Sequence, residues 1–238
     1  MGSSHNPGRV AGFLYLLLGF SVFRPIFIAG KLIVRDNATA TARNIATHEL
    51  MFRTGIVTDL LAGVSCIFVA LALYRVLKDV DRKLGVLMVI LGGLMPCIID
   101  FLNVLNDVAA LLLVRGEPVL YGLGKPQRDA LAMLFLLVHD HGFLINEVFA
   151  GLWLLPFGLL VFRSVFIPRL MGLGLIVNGF AYVVIAFTGL LVPQYVDRVS
   201  RIVSPCLIGE GVVMVWLMIK GARPQQRPAV AASSIGAA

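Results

Sequence analysis

Long apolar segments recur six times along the chain, separated by short polar connections. They cover approximately residues 10–29, 44–77, 84–114, 126–162, 170–192 and 202–220. Each is close to, or longer than, the roughly 20 residues that cross a hydrocarbon core of about 30 Å. The pattern therefore predicts an all-α fold, a polytopic membrane protein built as a bundle of six transmembrane helices.

The polar connections between these segments are too short to hold a second domain. We expect a tail over residues 1–8, a six-helix transmembrane domain over 9–221 and a disordered tail over 222–238. The last stretch is rich in Pro, Ala, Gln and Ser, a composition that cannot bury a core. The first apolar segment is expected to be a retained helix, because no small-residue cleavage pattern follows it.

Composition agrees with a membrane protein and excludes a soluble one. Hydrophobic residues make up 59% of the chain and charged residues 14%, whereas about a quarter of a soluble domain is charged. The net charge is +7, but the bases gather at connections and helix ends, where they indicate topology and contact with anionic lipid. Membrane lipids are therefore expected partners, nucleic acid is not, and no pattern indicates a cofactor.

The second apolar segment carries ionisable residues where lipid would surround it. At 100° per residue, His48 and Asp59 fall within ~20° of one helix face, and Glu49 and Arg53 form an i,i+4 pair beside them. Ionisable groups at membrane depth usually face a bundle interior or a water-filled cavity, and they indicate a functional site. We expect Arg53 to be an electrostatic keystone of such a pocket.

Further ionisable and amide side chains fall at a similar depth in four other segments. Arg24 lies in the far third of segment one, where it could either extend to the interface or face inward. The other residues of this group are Asp100, Asn103 and Asp107 in segment three, His139, Asp140 and Glu147 in segment four, and Glu210 in segment six. Agreement in depth across five segments predicts one shared polar pocket.

Charge within this predicted pocket is far from balanced. Seven acids, Glu49, Asp59, Asp100, Asp107, Asp140, Glu147 and Glu210, face only Arg24 and Arg53. An uncompensated excess of negative charge is costly in a medium of low dielectric constant. Several acids must therefore be protonated, or water, a cation or a cationic ligand must lie among them.

Four stretches of the sequence carry a resemblance to a known family. They are RVAGFLYLL, THELMFRTGIVTDLL, FAGLWLLPFGLLVFRSVFIPRLMGLGLIVNGFAYVV and LIGEGVVMVWLMIKG. Together they resemble the bacterial membrane family catalogued as domain of unknown function four-three-eight-six. The resemblance extends from about Arg9 to Gly221. It implies a six-helix protein of the bacterial inner membrane, and it implies no activity. The basic turn over residues 75–83 and the basic carboxy-terminal segment favour both termini inside the cell.

Three functions remain open from the sequence. The first is a carrier or channel for a proton, cation or small polar solute, favoured by the acid excess and by the Gly- and Pro-containing segments. The second is an accessory or scaffold protein whose polar groups only join the helices. The third is a metal-dependent intramembrane hydrolase, but His139 and His141 are 200° apart on a helix and no HExxH motif is present. The oligomeric state and the identity of any ligand are not indicated.

Overall fold

A computed structural model describes residues 6–18 and 24–222, and within these residues the fold is helical, without a β-strand. The α-helices are α1 (Pro7–Tyr15), α2 (Ala38–Thr47), α3 (Glu49–Leu77), α4 (Arg82–Val89), α5 (Met95–Arg115), α6 (Lys125–Arg163), α7 (Arg169–Leu191), α8 (Val196–Val203) and α9 (Ile208–Lys220). Two π-helical segments, Arg24–Ala29 and Ile90–Leu94, precede α2 and join α4 to α5. Of the predicted tails at 1–8 and 222–238, residues 1–5 and 223–238 lie outside the described residues. α1 begins at Pro7, inside the predicted amino-terminal tail, and Ala222 is buried.

Among the described residues, five helical stretches are long and apolar enough to cross a membrane. They are Glu49–Leu77, Arg82–Arg115, Lys125–Arg163, Arg169–Leu191 and Pro193–Lys220, and a shorter apolar helix runs from Pro7 to Leu18. Many large apolar side chains on these helices point outward, among them Leu102 at 60% exposure and Phe180 at 58%. An apolar exterior is what lipid requires, so the predicted all-α membrane bundle is confirmed.

The helices form a closed ring when their packing partners are followed in order. α1 packs on α3, α3 on α5, α5 on α6, α6 on α7, α7 on α9, and α9 returns to α1. α4 packs on both α3 and α6, and α2 packs on α5 and α6. Buried side chains of α1, α3, α6, α7 and α9 meet in one apolar core.

Glycines at matching intervals set the close packing of α6 on α7. A Cβ atom at Gly151 would lie 2.6 Å from the carbonyl oxygen of Gly179, and one at Gly158 would lie 2.8 Å from that of Gly172. Each pair is seven residues from the other, so the contacts repeat along one helix face. Small residues at such positions let membrane helices approach until their backbones touch.

The glycine and proline residues of the third predicted segment do not interrupt it. Gly92 and Gly93 lie in the π-helical segment, and Pro96 is the second residue of α5, which follows directly. Proline lacks the amide hydrogen that the regular pattern requires, so a wider turn before it relieves the conflict. A Cβ atom at Gly92 would lie 2.4 Å from the Trp153 ring, so the missing side chain also makes room for this indole on α6.

The second predicted helix is divided at His48, which corrects the expectation of one continuous helix from Asn44. His48 has φ −120° and ψ 41°, outside the helical region, and separates α2 from α3. α2 also occupies part of the polar connection between the first two apolar segments. Asn37 caps it by accepting a hydrogen bond from the Ala40 amide, and its alanine-rich sequence favours a helix.

The last crossing is less regular than predicted. α9 has 13 residues, about 20 Å of helix at 1.5 Å per residue, and is preceded by the 3₁₀ turn Ser204–Leu207. Pro205 within that turn disfavours a regular helix through the residue before it. The first and last helices meet at their ends, where Asn6 caps α1 and also accepts a hydrogen bond from the Ala222 amide.

Candidate functional site

A cavity of about 320 Å³ lies beside Arg24, and we call it the Arg24 cavity. Its walls come from the π-helical segment at 24–29, from the connection that follows this segment, and from α3, α5 and α6. The lining residues are Arg24, Ala29, Arg35, Asp59, Ala62, Asp100, Asn103, His139, Asp140 and Phe143. Six residues of the predicted pocket, from four stretches of the chain, therefore meet around one space.

Arg24 is buried and faces inward, which decides between the two alternatives that the sequence left open. Its side chain is 7% exposed, and its Nη1 donates to Oδ2 of Asp107 at 2.7 Å. Its Nη2 lies 3.8 Å from Oδ1 of Asp140. Among the buried residues that the structure describes, Arg24 is the only arginine or lysine. It joins the first apolar segment to both α5 and α6.

His139 lies between two aspartates. Its Nδ1 is 3.2 Å from the backbone oxygen of Asn103 and 3.3 Å from Oδ2 of Asp107, while its Nε2 is 4.0 Å from Oδ2 of Asp59. His139 is 3% exposed and Asp107 is fully buried. One ligand atom from each of the three side chains falls within 4.8 Å of the other two, so the group has the size of a metal-binding site.

A second cavity of about 440 Å³ lies beside the first and reaches α1, α7 and α9; we call it the Glu210 cavity. Tyr15 donates its hydroxyl hydrogen to Oε1 of Glu210, and the Glu210 amide donates to Oδ1 of Asn178 at 2.9 Å. Glu147 also lines this space, and its buried Oε2 has no hydrogen-bond partner among the described residues. Two carboxyl groups from α6 and α9 therefore face one cavity.

The two cavities share three lining residues, Ala62, Asp100 and Phe143. Asp100 is the polar member of this group and accepts a hydrogen bond from Nδ2 of Asn146 at 2.8 Å. A Cβ atom at Gly63 would lie 3.2 Å from that of Asp100, so a glycine on α3 allows α5 to bring this carboxylate in. Asp100 thus lies at the junction of the two cavities.

Three residues of the predicted pocket lie away from both cavities. His48 is exposed at the break before α3, and its Nδ1 lies 3.1 Å from the oxygen of Asn44. Glu49 and Arg53 do form the expected ion pair, at 2.7 Å, but Arg53 is 45% exposed and Arg115 approaches the same carboxylate at 3.9 Å. The helix break turns this group toward the surface at the end of the bundle, so Arg53 is not the keystone.

The structure also adds residues that the sequence reasoning did not select. They are Tyr15, Arg35, Phe143, Asn146, Asn178 and Tyr182. Asn146 and Asn178 are amides inside apolar segments, which was a usable signal because unpaired amides are costly in lipid. Gly142 gave a weaker signal: a Cβ atom there would overlap the Asn103 side chain. His139 is buried and His141 exposed, as the predicted 200° separation requires.

Comparisons with known proteins agree with the resemblance seen in the sequence. Searches with the chain find no match among curated proteins or among solved structures. A family model does match, over residues 10–221, and its description is Domain of unknown function (DUF4386). That range includes the candidate site and all the helices that form the ring, except the start of α1. The chain therefore belongs to the DUF4386 family.

Proposed function

We propose that this protein is a membrane carrier that binds a small cation, with the proton included in that class, and moves it through the two adjoining cavities. The observation that carries the proposal is the charge around them. Six carboxyl groups, Asp59, Asp100, Asp107, Asp140, Glu147 and Glu210, lie in or against the cavities. Two arginines oppose them: Arg24, which is buried, and Arg35, which is exposed. Such an excess in a membrane interior requires compensating positive charge.

The arrangement of the acids supports movement as well as binding. They come from α3, α5, α6 and α9 and follow each other from the Arg24 cavity through Asp100 to the Glu210 cavity. Trp153 lines the second cavity and also belongs to the apolar core, where it stacks on Phe157 with ring centroids 5.4 Å apart. A polar route that ends at an apolar barrier is what a carrier with alternating access needs on one side.

A flux measurement in proteoliposomes tests this proposal. With purified protein, a proton-sensitive dye and a series of mono- and divalent cations, we expect Asp100→Asn to lower the initial rate about tenfold, because the carboxylate at the junction is lost while its shape is kept. Asp197→Asn is the matched control, since Asp197 is exposed on α8. No flux of any cation with wild-type protein, or equal rates for Asp100→Asn and Asp197→Asn, would contradict the carrier.

An accessory or scaffold protein is the second candidate, and a specific observation favours it. Side-chain hydrogen bonds join three pairs of helices. Tyr15 joins α1 to α9, Asn178 joins α7 to α9, and Asn146 joins α6 to α5. Contacts of this kind are worth roughly 1 kcal/mol each in membranes and hold helices in register. In that case Asp100→Asn changes the melting temperature and no flux is found.

We further propose that the protein resides in a bacterial inner membrane with both termini inside the cell. Arg75, Lys78, Arg82 and Lys83 surround the turn between α3 and α4, and cytoplasmic turns are enriched in such residues. The Arg24 cavity would then lie in the outer half of the membrane. A reporter enzyme that is active only outside the inner membrane, fused after Gly221, should be silent. Strong activity of this fusion would reverse the orientation.

A further inference from the structure

The space between His139 and Asp59 is bordered by hydrogen-bond acceptors that face one another. Nδ1 of His139 lies within 3.3 Å of two acceptors, the Asn103 backbone oxygen and Oδ2 of Asp107. Two acceptors require a donor, so Nδ1 carries a hydrogen. In a neutral imidazole the other nitrogen, Nε2, is then a bare acceptor. It faces Oδ2 of Asp59, a second acceptor, across 4.0 Å.

The carboxylates on either side are also incompletely paired. Oδ2 of Asp59 and Oδ1 of Asp107 are buried and have no hydrogen-bond partner among the described residues. Asp107 is fully buried, and Arg24 contacts its other oxygen, Oδ2. Buried acceptors with no partner are costly. Two such atoms beside the bare Nε2 of His139 are more consistent with a positively charged occupant than with a packing contact between side chains.

Their spacing agrees with a single metal ion. One ligand atom each from Asp59, Asp107 and His139 lie within 4.8 Å of one another. Ligands about 2.0–2.2 Å from a metal are at most ~4.4 Å apart, so small side-chain rotations would bring all three onto one ion. A metal-binding histidine usually donates its other ring hydrogen to a backbone carbonyl or carboxylate. Here the Asn103 backbone oxygen, 3.2 Å from Nδ1, is positioned to accept it.

We propose that Asp59, Asp107 and His139 bind a divalent first-row transition-metal ion, with zinc and manganese as the candidate metals. One imidazole and two carboxylates suit these ions, whereas magnesium and calcium favour oxygen ligands alone. Asp59 and His139 line the Arg24 cavity, so the remaining coordination positions face that space. This inference rests on the proposed function, because it names the class of cation that the cavity receives.

Binding of the metal alone to detergent-purified protein tests the proposal. After treatment with a chelator, Zn²⁺ or Mn²⁺ is titrated by calorimetry, and Co²⁺ is added separately as a spectroscopic probe. We expect one ion per chain and a Co²⁺ spectrum that shows nitrogen and oxygen ligands. His139→Ala should weaken binding at least ~100-fold, beyond the 10–100-fold usual for residues that only support a ligand.

His141→Ala is the matched control, because His141 is on the same helix two residues away and is exposed. Asp59→Asn is a second variant that keeps the side-chain shape, and it covers the case in which His139→Ala does not fold. His141→Ala should bind the metal ion with the same affinity as wild type. The metal site would be overturned if His139→Ala or Asp59→Asn bound the ion as tightly as wild type, or if wild type bound less than one ion per chain.

The same measurements distinguish the metal site from the carrier. If the metal does not bind but flux of another cation depends on Asp100, the carrier stands and the metal site is wrong. If one ion binds per chain through His139 but no cation crosses the liposome membrane, the metal site stands and the carrier is wrong.

Discussion

Arg24→Ala is expected to destabilise the fold more than the removal of any other charged side chain. Its guanidinium is 7% exposed, donates to Asp107 at 2.7 Å and lies 3.8 Å from Asp140. Removing one partner of a buried ion pair typically costs ~3–5 kcal/mol, because the other charge stays buried without compensation. The melting temperature in detergent and the amount of folded protein in membranes measure the effect.

Arg53→Ala is the matched control, since it also removes an arginine paired with a carboxylate at 2.7 Å. Arg53 is 45% exposed, however, and exposed pairs are worth ~0–1 kcal/mol. Arg24→Lys should fall between the two variants, because lysine keeps the charge and lacks the planar fork that can reach two carboxylates. Equal melting temperatures for Arg24→Ala and Arg53→Ala would show that Arg24 is not the electrostatic centre of the site.

The main features of the fold could be predicted because lipid imposes a simple rule on the chain. Each crossing must be a long apolar helix, so hydropathy alone located α3, α6 and α7 to within a few residues of their ends. Hydropathy did not locate the break at His48, because that break depends on the backbone angles of a single residue. Composition also cannot distinguish a π-helical turn at Gly92 from an interruption.

The candidate site was predicted in part, and the reason is again physical. An ionisable residue in an apolar segment has few acceptable environments, so depth and helical spacing were enough to group Arg24, Asp59, Asp100, Asp107, His139 and Asp140. Helical spacing is reliable only within one unbroken helix. His48 was placed beside Asp59 by counting across a break, and Glu49 and Arg53 were assigned to the pocket with it.

Partners between helices could not be predicted. Nothing in the sequence states that Nη1 of Arg24 meets Asp107 and not Glu147, since this depends on how α5 and α6 pack against the first segment. Glycines that matter because they lack a side chain were also missed. A side chain at Gly63 would meet Asp100, and one at Gly142 would meet Asn103. A glycine in an apolar helix has many possible causes, so it identifies a close contact only once the neighbour is known.

Trp153→Ala is expected to be the most damaging apolar substitution. Trp153 is 5% exposed, stacks on Phe157 and lies 6.0 Å from the Tyr15 ring, between the Glu210 cavity and the apolar core. Large-to-small core changes of this kind cost ~3–5 kcal/mol in water-soluble proteins. Lipid is as apolar as the core, so only the packing part of that cost remains in a membrane, and we expect about 2–4 kcal/mol.

Phe180→Ala provides the control, because Phe180 is also aromatic but is 58% exposed on the apolar exterior. Its replacement should change stability by less than ~0.5 kcal/mol.

Trp153→Ala should also raise the passive proton leak of proteoliposomes, since the indole separates the acid-lined Glu210 cavity from the rest of the core. Trp153→Phe should restore most of the barrier. An unchanged melting temperature together with an unchanged leak would mean that the apolar barrier lies elsewhere in the bundle.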